Sequence, residues 1–127
     1  MILSYKKGSR AERELIDYFS TRGFCVIRAA GSGVNSLSPD ILVFKRGMQF
    51  GIEAKAIEKD NLSIDREQFE NLKRWEDVSG INCLIGWRRN REPWVFLPLA
   101  ILKENAKTFG INWKNASGLG RKLEEFA

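Results

Sequence analysis

Pro39-Asp40 opens an apolar run, Ile41-Leu42-Val43-Phe44, and a turn at Arg46-Gly47 separates it from a second run that carries Glu53-Ala54-Lys55. Runs of this length on either side of a turn predict a β-hairpin, roughly Asp40 to Lys45 and Met48 to Ala56. Side chains alternate faces along a strand, so Glu53 and Lys55 point one way while Ile52, Ala54 and Ala56 point the other. The reversal near Gly47 then brings Asp40 beside the Glu53/Lys55 pair. Charges that interrupt an otherwise buried strand need a partner or a ligand, because an unpaired buried charge is expensive. An acid-x-Lys triplet alone means little, since about one is expected by chance in a chain of this make-up. Its placement in the hairpin carries the information. The competing reading is a solvated face on an edge strand.

Two carboxylates around one ammonium suit magnesium, which takes oxygen ligands, keeps several waters and is held by one or two acids plus a substrate phosphate. Lys55 would stand beside the ion, placed to stabilise a pentavalent phosphate or to help activate water. The chain has no histidine. That excludes histidine-ligated zinc and a histidine general base.

With 127 residues and 43% hydrophobic content, the chain is expected to be a single domain over residues 1–127, large enough for a sheet with helices on it. A net charge of +5 suits a polyanionic partner. Cys25 and Cys83 sit in apolar runs without metal-ligand spacing and read as reduced core residues. No stretch has the length and apolarity of a membrane span or a signal peptide. The expected location is therefore cytoplasmic, with no membrane partner.

Ser9-Arg10-Ala11-Glu12 has the form of a capping box, predicting a helix from there to about Arg22 with a stop at Gly23. Residues 4–8 read as a basic arm before it. Strand one is expected at Phe24 to Ala29, followed by a Gly/Ser-rich loop from Gly31 to Ser38. After the hairpin, Asp65 should start a helix ending near Gly80, with Phe69, Leu72 and Trp75 at helical spacing. Strands are expected at Asn82–Trp87 and Trp94–Leu97 around a turn at Arg89–Glu92. A helical turn at Pro98–Lys103 and a weak helix at Leu119–Phe126 complete the chain. The order αβββαββ predicts an α/β fold with a central mixed five-stranded sheet flanked by helices.

Glu12 lies three, four and seven residues before Leu15, Ile16 and Phe19, so it falls on the core-facing side of the first helix. It can close the capping box with Ser9 or bind a metal, and the two roles compete. Lys6, Lys7, Arg10 and Arg13 cluster around this helix, with Arg28 just before the glycine-rich loop. They read as phosphate contacts or as a solvated face.

Six separated motifs, in order, resemble the archaeal-type Holliday-junction resolvases of the restriction-endonuclease-like, PD-(D/E)xK superfamily. They are Lys7-Gly8-Ser9-x-x-Glu12-Arg13, Gly23-Phe24-x-Val26-x-Arg28, Gly31-Ser32-Gly33, Pro39-Asp40-Ile41, Ile52-Glu53-Ala54-Lys55 and Arg66-Glu67-Gln68. The resemblance covers roughly residues 5–100. It implies that Glu12, Asp40 and Glu53 bind magnesium, with the backbone carbonyl of Ala54 as a further ligand and manganese able to substitute. This favours ligand over cap for Glu12. It implies that Lys55 stabilises the transition state, that Ser32 contacts the substrate phosphate, that Arg28 lies near the site and that Gln68 supports it from the helix behind. It further implies a homodimer whose two sites cut symmetrically related strands of a four-way DNA junction, leaving 5′-phosphate and 3′-hydroxyl ends. The location would be nucleoid-associated, or the host cytoplasm for a viral protein. The stretch from Val34 to Ser38 is longer than in some members, and Ala54 stands where many carry valine or methionine. Phe69, Trp75 and Trp94 are candidates for the dimer interface, the competing reading being that all three are core.

Overall fold

The computed structural model describes residues 2–29 and 38–126, with side chains from Arg10 onward. A long helix α1 (Ile2–Thr21) is followed by β1 (Cys25–Arg28), β2 (Ile41–Lys45), β3 (Met48–Ala56) and β4 (Asn61–Asp65). Helix α2 (Arg66–Ser79), β5 (Asn82–Arg88), β6 (Val95–Pro98), a 3-10 turn (Leu99–Ile101), β7 (Lys103–Glu104) and β8 (Thr108–Asn112) come next. Helix α3 (Trp113–Leu119) and a 3-10 turn (Leu123–Phe126) finish the described chain. No helix among the described residues is long and apolar enough to cross a membrane.

The expected five-stranded mixed sheet is present in the order β1-β2-β3-β5-β6. All its pairings are antiparallel except β3 with β5, which run parallel. The hairpin turn places both Arg46 (φ 48°) and Gly47 (φ 85°) in the left-handed region. That is the two-residue geometry whose twist matches the flanking strands.

One face of the sheet packs on α1. Leu15 and Phe19 are fully buried there against Ile41, Val43, Ile52, Leu84 and Phe96. The other face packs Cys83, Ile85 and Trp87 of β5 under Leu72 of α2 and under a second sheet. This second, three-stranded sheet, β4-β8-β7, is absent from the order read in the sequence. Its strands are short and the Asn61–Asp65 segment reads as the approach to a helix. Pairing with a partner more than forty residues away, Leu62 with Ile111 for example, leaves no local signature.

Other expectations need correction. Helix α1 begins at Ile2, so the basic arm is helical and Ser9 lies inside the helix rather than at its cap. Lysine is a good helix former and one glycine costs only about 1 kcal/mol, so Gly8 does not stop it. Cys25 is exposed on edge strand β1 and only Cys83 is buried, although both are free. The weak helix expected at Leu119–Phe126 is only a 3-10 turn at Leu123–Phe126, and an unforeseen α3 precedes it at Trp113–Leu119, capped by the Asn112 side chain, which accepts from the Asn115 amide at 2.7 Å. Trp94 is 2% exposed and cannot form an interface. Phe69 stacks on Phe109 with ring centroids 3.7 Å apart, and Trp75 is half-buried against the α2-side core.

Candidate active site

The hairpin register sets the site. Ile41 pairs with Ile52 and both point toward α1, so Asp40, Glu53 and Lys55 all point to the opposite face, the one covered by α2. Pro39 is buried and lies flat over β3 at Gly51, where an added Cβ would stand 2.7 Å from Pro39 Cγ. A glycine in a strand often marks such a close approach. The Asp40 carboxylate is held by the Ala54 amide, which donates to Oδ2 at 2.9 Å. Gly51 is thus a positioning residue missed in the sequence, though a glycine interrupting an apolar strand is a readable signal.

Glu53 is the sole buried charged residue among those described, at 8% exposure. Gln68, in the first turn of α2, donates from Nε2 to Glu53 Oε2 at 2.6 Å and accepts from Lys55 Nζ at 3.3 Å. Lys55 Nζ itself stands 3.8 Å from Glu53 Oε2. The amide therefore bridges the two charges and fixes both rotamers. Asp65 precedes α2 in extended conformation and Gly80 closes it in the left-handed region, so the helix bounds match the sequence and bring Gln68 to the site.

The electrostatics are unfavourable for two bare acids. Burial, and then the neighbouring Asp40 carboxylate, push the Glu53 carboxyl up to about 7 against the pull of Lys55. Burial also raises Asp40, helped by Glu12 and opposed by the Ala54 amide, Lys55 and Arg28. One ammonium does not compensate two desolvated carboxylates.

Glu12 approaches from the α1 side and carries no cap. Its Oε1 accepts from Arg28 Nε at 3.0 Å. Arg28 points to the α1 face because its neighbour in the register is Ile41. Among the described residues no group of three or more His, Cys, Asp or Glu side chains is arranged to hold a metal ion. Glu12 joins Asp40 and Glu53 through its field, not through contact. Arg10 and Arg13 are exposed on α1. The side chains of Lys6 and Lys7, and Ser32 with its loop, lie outside the described residues.

The two-residue hairpin thus gathers two acids and a lysine on one face, backed by a glutamine from α2. The model of the archaeal Holliday junction resolvase family (Hjc) matches residues 3–127. This chain belongs to the archaeal Holliday junction resolvase family. It is 30% identical to the crossover junction endodeoxyribonuclease Hjc of Archaeoglobus fulgidus over 95% of this chain and 89% of that one. The Hjc of Methanocaldococcus jannaschii is 29% identical over 94% and 93%. The solved structure of the Archaeoglobus fulgidus Hjc, a Holliday junction resolvase from an archaeal hyperthermophile, superposes with a TM-score of 0.84 at 28% identity, covering 94% of each chain. The bacterial homing endonuclease I-Ssp6803I superposes at 0.50 with 14% identity over 84% of this chain and 72% of that one, a likeness of fold. The expected restriction-endonuclease-like fold and the expected family are both borne out. Membership in Hjc carries with it an endodeoxyribonuclease activity and a general dependence on a divalent metal.

Proposed function

We propose that this member of Hjc resolves four-way DNA junctions as a homodimer, with magnesium, or manganese in its place, held by Asp40, Glu53, the carbonyl of Ala54 and a re-aimed Glu12. The observation that carries the metal assignment is the pair Asp40/Glu53, the first half-buried and the second buried, both raised by burial, with Glu53 raised further by the charge of Asp40 and Asp40 by that of Glu12. Hard oxygen donors with excess negative charge are what a small divalent cation requires. When bound, the ion supplies charge neutralisation at the scissile phosphate and lowers the pKa of a water. The chain's own residues do the rest. Lys55, aimed by Gln68, faces the phosphate oxygens on which charge develops. Arg10, Arg13, Arg28 and the basic residues Lys6 and Lys7 contact the backbone, and Ser32 contacts the phosphate at the site. Selectivity comes from the branched shape, since backbone contacts carry no base sequence.

Dimerisation is supported by the half of the α2-side sheet face that α2 leaves open. On β1 and β2, Cys25 and Ile27 are exposed and Leu42 and Phe44 half-buried, Ile27 pairing with Leu42 and Cys25 with Phe44. Val78 near the end of α2 is 72% exposed and Ile27 56%. Exposed apolar surface of this kind marks an association site, and the two-fold symmetry of a junction calls for two sites related by a dyad.

The test combines Asp40→Asn with a supercoiled cruciform plasmid. Wild type should be dimeric by light scattering at micromolar concentration and should give linear product. The variant should lose detectable cleavage while its junction affinity is kept or slightly raised. Single nicks without linear product from a monomeric wild type would refute the resolvase reading, and loss of binding in the variant would make Asp40 structural.

A further inference from the structure

Gln68 touches both charges of the β3 pair, and its orientation is not free. Lys55 Nζ can only donate, so the amide oxygen has to face it, at 3.3 Å, and the amide NH2 is left to face Glu53, donating to Oε2 at 2.6 Å. On the other acid, the Ala54 amide donates to Asp40 Oδ2 at 2.9 Å. The Glu53 carboxylate also takes a backbone hydrogen bond from Asp40. Neither carboxylate therefore has both oxygens clear of a fixed donor.

This bears on which cation the two acids can serve. Calcium gathers many oxygens in a flexible shell and often draws both oxygens of one carboxylate. Magnesium is smaller, demands a near-ideal octahedron and keeps several waters, so one oxygen from each of two acids suffices. Donors that tie up a carboxylate oxygen thus act against the larger ion. The groups behind metal ligands orient them in this way.

We propose that Gln68 is a specificity-determining residue of the metal site: by engaging Oε2 it holds Glu53 to one oxygen for the ion and so favours magnesium over calcium. This rests on the metal site proposed above, and needs only Asp40 and Glu53 of it. Gln68 acts through Glu53 and does not touch the ion. The Ala54 amide does the same for Asp40, but a backbone donor is not removed by substitution, whereas the Gln68 donor is. Lys55 has a share in the selectivity, because it decides which end of the Gln68 amide meets Glu53.

The experiment is titration calorimetry of the DNA-free protein with magnesium and with calcium, for wild type, Gln68→Met, Lys55→Met and the double variant. The quantity read is the ratio of the two affinities. Gln68 is half-buried, and methionine keeps its length without the donor. Should methionine unfold the protein, Gln68→Asn keeps an amide one carbon too short to reach. Losing a partner behind a metal ligand changes affinity by about 10–100-fold, so Gln68→Met should raise the calcium-to-magnesium ratio by about tenfold. It also lets Lys55 close on Glu53 from 3.8 Å, which weakens both ions alike and leaves the ratio untouched. The double variant should therefore show the same rise. Lys55→Met alone frees the amide to turn and should raise the ratio by less. A ratio that is unchanged or lowered in both Gln68→Met and the double variant would overturn the proposal and leave Gln68 a support for Glu53 without influence on the choice of ion. Asp40→Asn distinguishes this failure from that of the metal site: it should cost the protein most of its affinity for either ion, and undiminished binding would remove the site and the selectivity with it.

Discussion

The two acidic halves of the site differ in how well they are satisfied. Asp40, half-buried, and Glu53, buried, sit on the α2 face, the first held by the Ala54 amide and the second by Gln68 beside Lys55, and burial drives both carboxyls upward. Glu12 sits at the α1-side rim with a guanidinium of its own at 3.0 Å. The first pair is held in an unfavourable state by the sheet, which fixes β2 against β3 residue by residue. The second is an ion pair at the surface, its arginine side chain 52% exposed. In the site proposed above, the rigid half would define where the cation goes.

Removing the cation of the rigid half should have the largest effect. Lys55→Ala is expected to lower the single-turnover cleavage rate by roughly two to three orders of magnitude, the scale for losing a donor aimed at developing charge. Junction affinity should change little. A loss of less than tenfold would break the contrast by making Lys55 a mere counter-charge for Glu53.

The next effect is on stability. The folded pKa of Glu53, about 7, lies above the ordinary carboxyl value, so the folded state binds the proton more tightly than the unfolded chain. Its contribution is therefore unfavourable wherever the group is ionised: the metal-free protein should lose stability as pH rises from about 4.5 to 7 and lose no more from this group above that. The full penalty is on the order of 3 kcal/mol. Glu53→Gln should remove it, raising the melting temperature of the metal-free protein at pH 7.5 by several degrees and flattening its pH dependence. Magnesium should stabilise the wild type most at the high end of that window. Unfolding in EDTA across pH 4.5–8 checks both, and an unchanged pH profile in the variant would sink the assignment of strain to Glu53.

The smallest effect concerns the rim. Arg10→Ala with Arg13→Ala should weaken binding of junction, flap and linear duplex alike by about tenfold and lower the salt slope by roughly one to two, as expected if each neutralises a phosphate. An unchanged slope would return both to an ordinary solvated face.

Much of the rigid half was legible in the chain. Alternation puts Glu53 and Lys55 on one face whatever the rest of the fold does, and the Arg46-Gly47 turn fixes where Asp40 lands. The bounds of α2 follow from Asp65 and Gly80, which is why Gln68 arrives one turn above the acids. Less was legible where the partner lies far along the chain. The Ser9–Glu12 capping box is a local pattern overridden by a helix that starts at Ile2. Cys25 looks like a core residue because its run is apolar, but its strand is an edge strand and its side chain is exposed there. Trp94 looks like surplus aromatic surface, yet its indole donates to Glu14 at 2.5 Å beneath α1.

The sequence by itself determined the chemistry: the residue types that converge, the exclusion of histidine mechanisms, the five-stranded sheet and the family. The sheet follows from periodicities of two and 3.6 and from turn residues, which are properties of neighbours; the exclusion follows from composition, and the family from a resemblance carried by six short motifs. Only the tertiary structure decided the rest. That Glu12 bonds Arg28, that Pro39 seats on Gly51, that a second sheet supports α2, and that Cys25 and Ile27 of β1 are exposed all depend on segments meeting across long loops. Such meetings are chosen by packing and desolvation over the whole chain, and no short window of residues contains them.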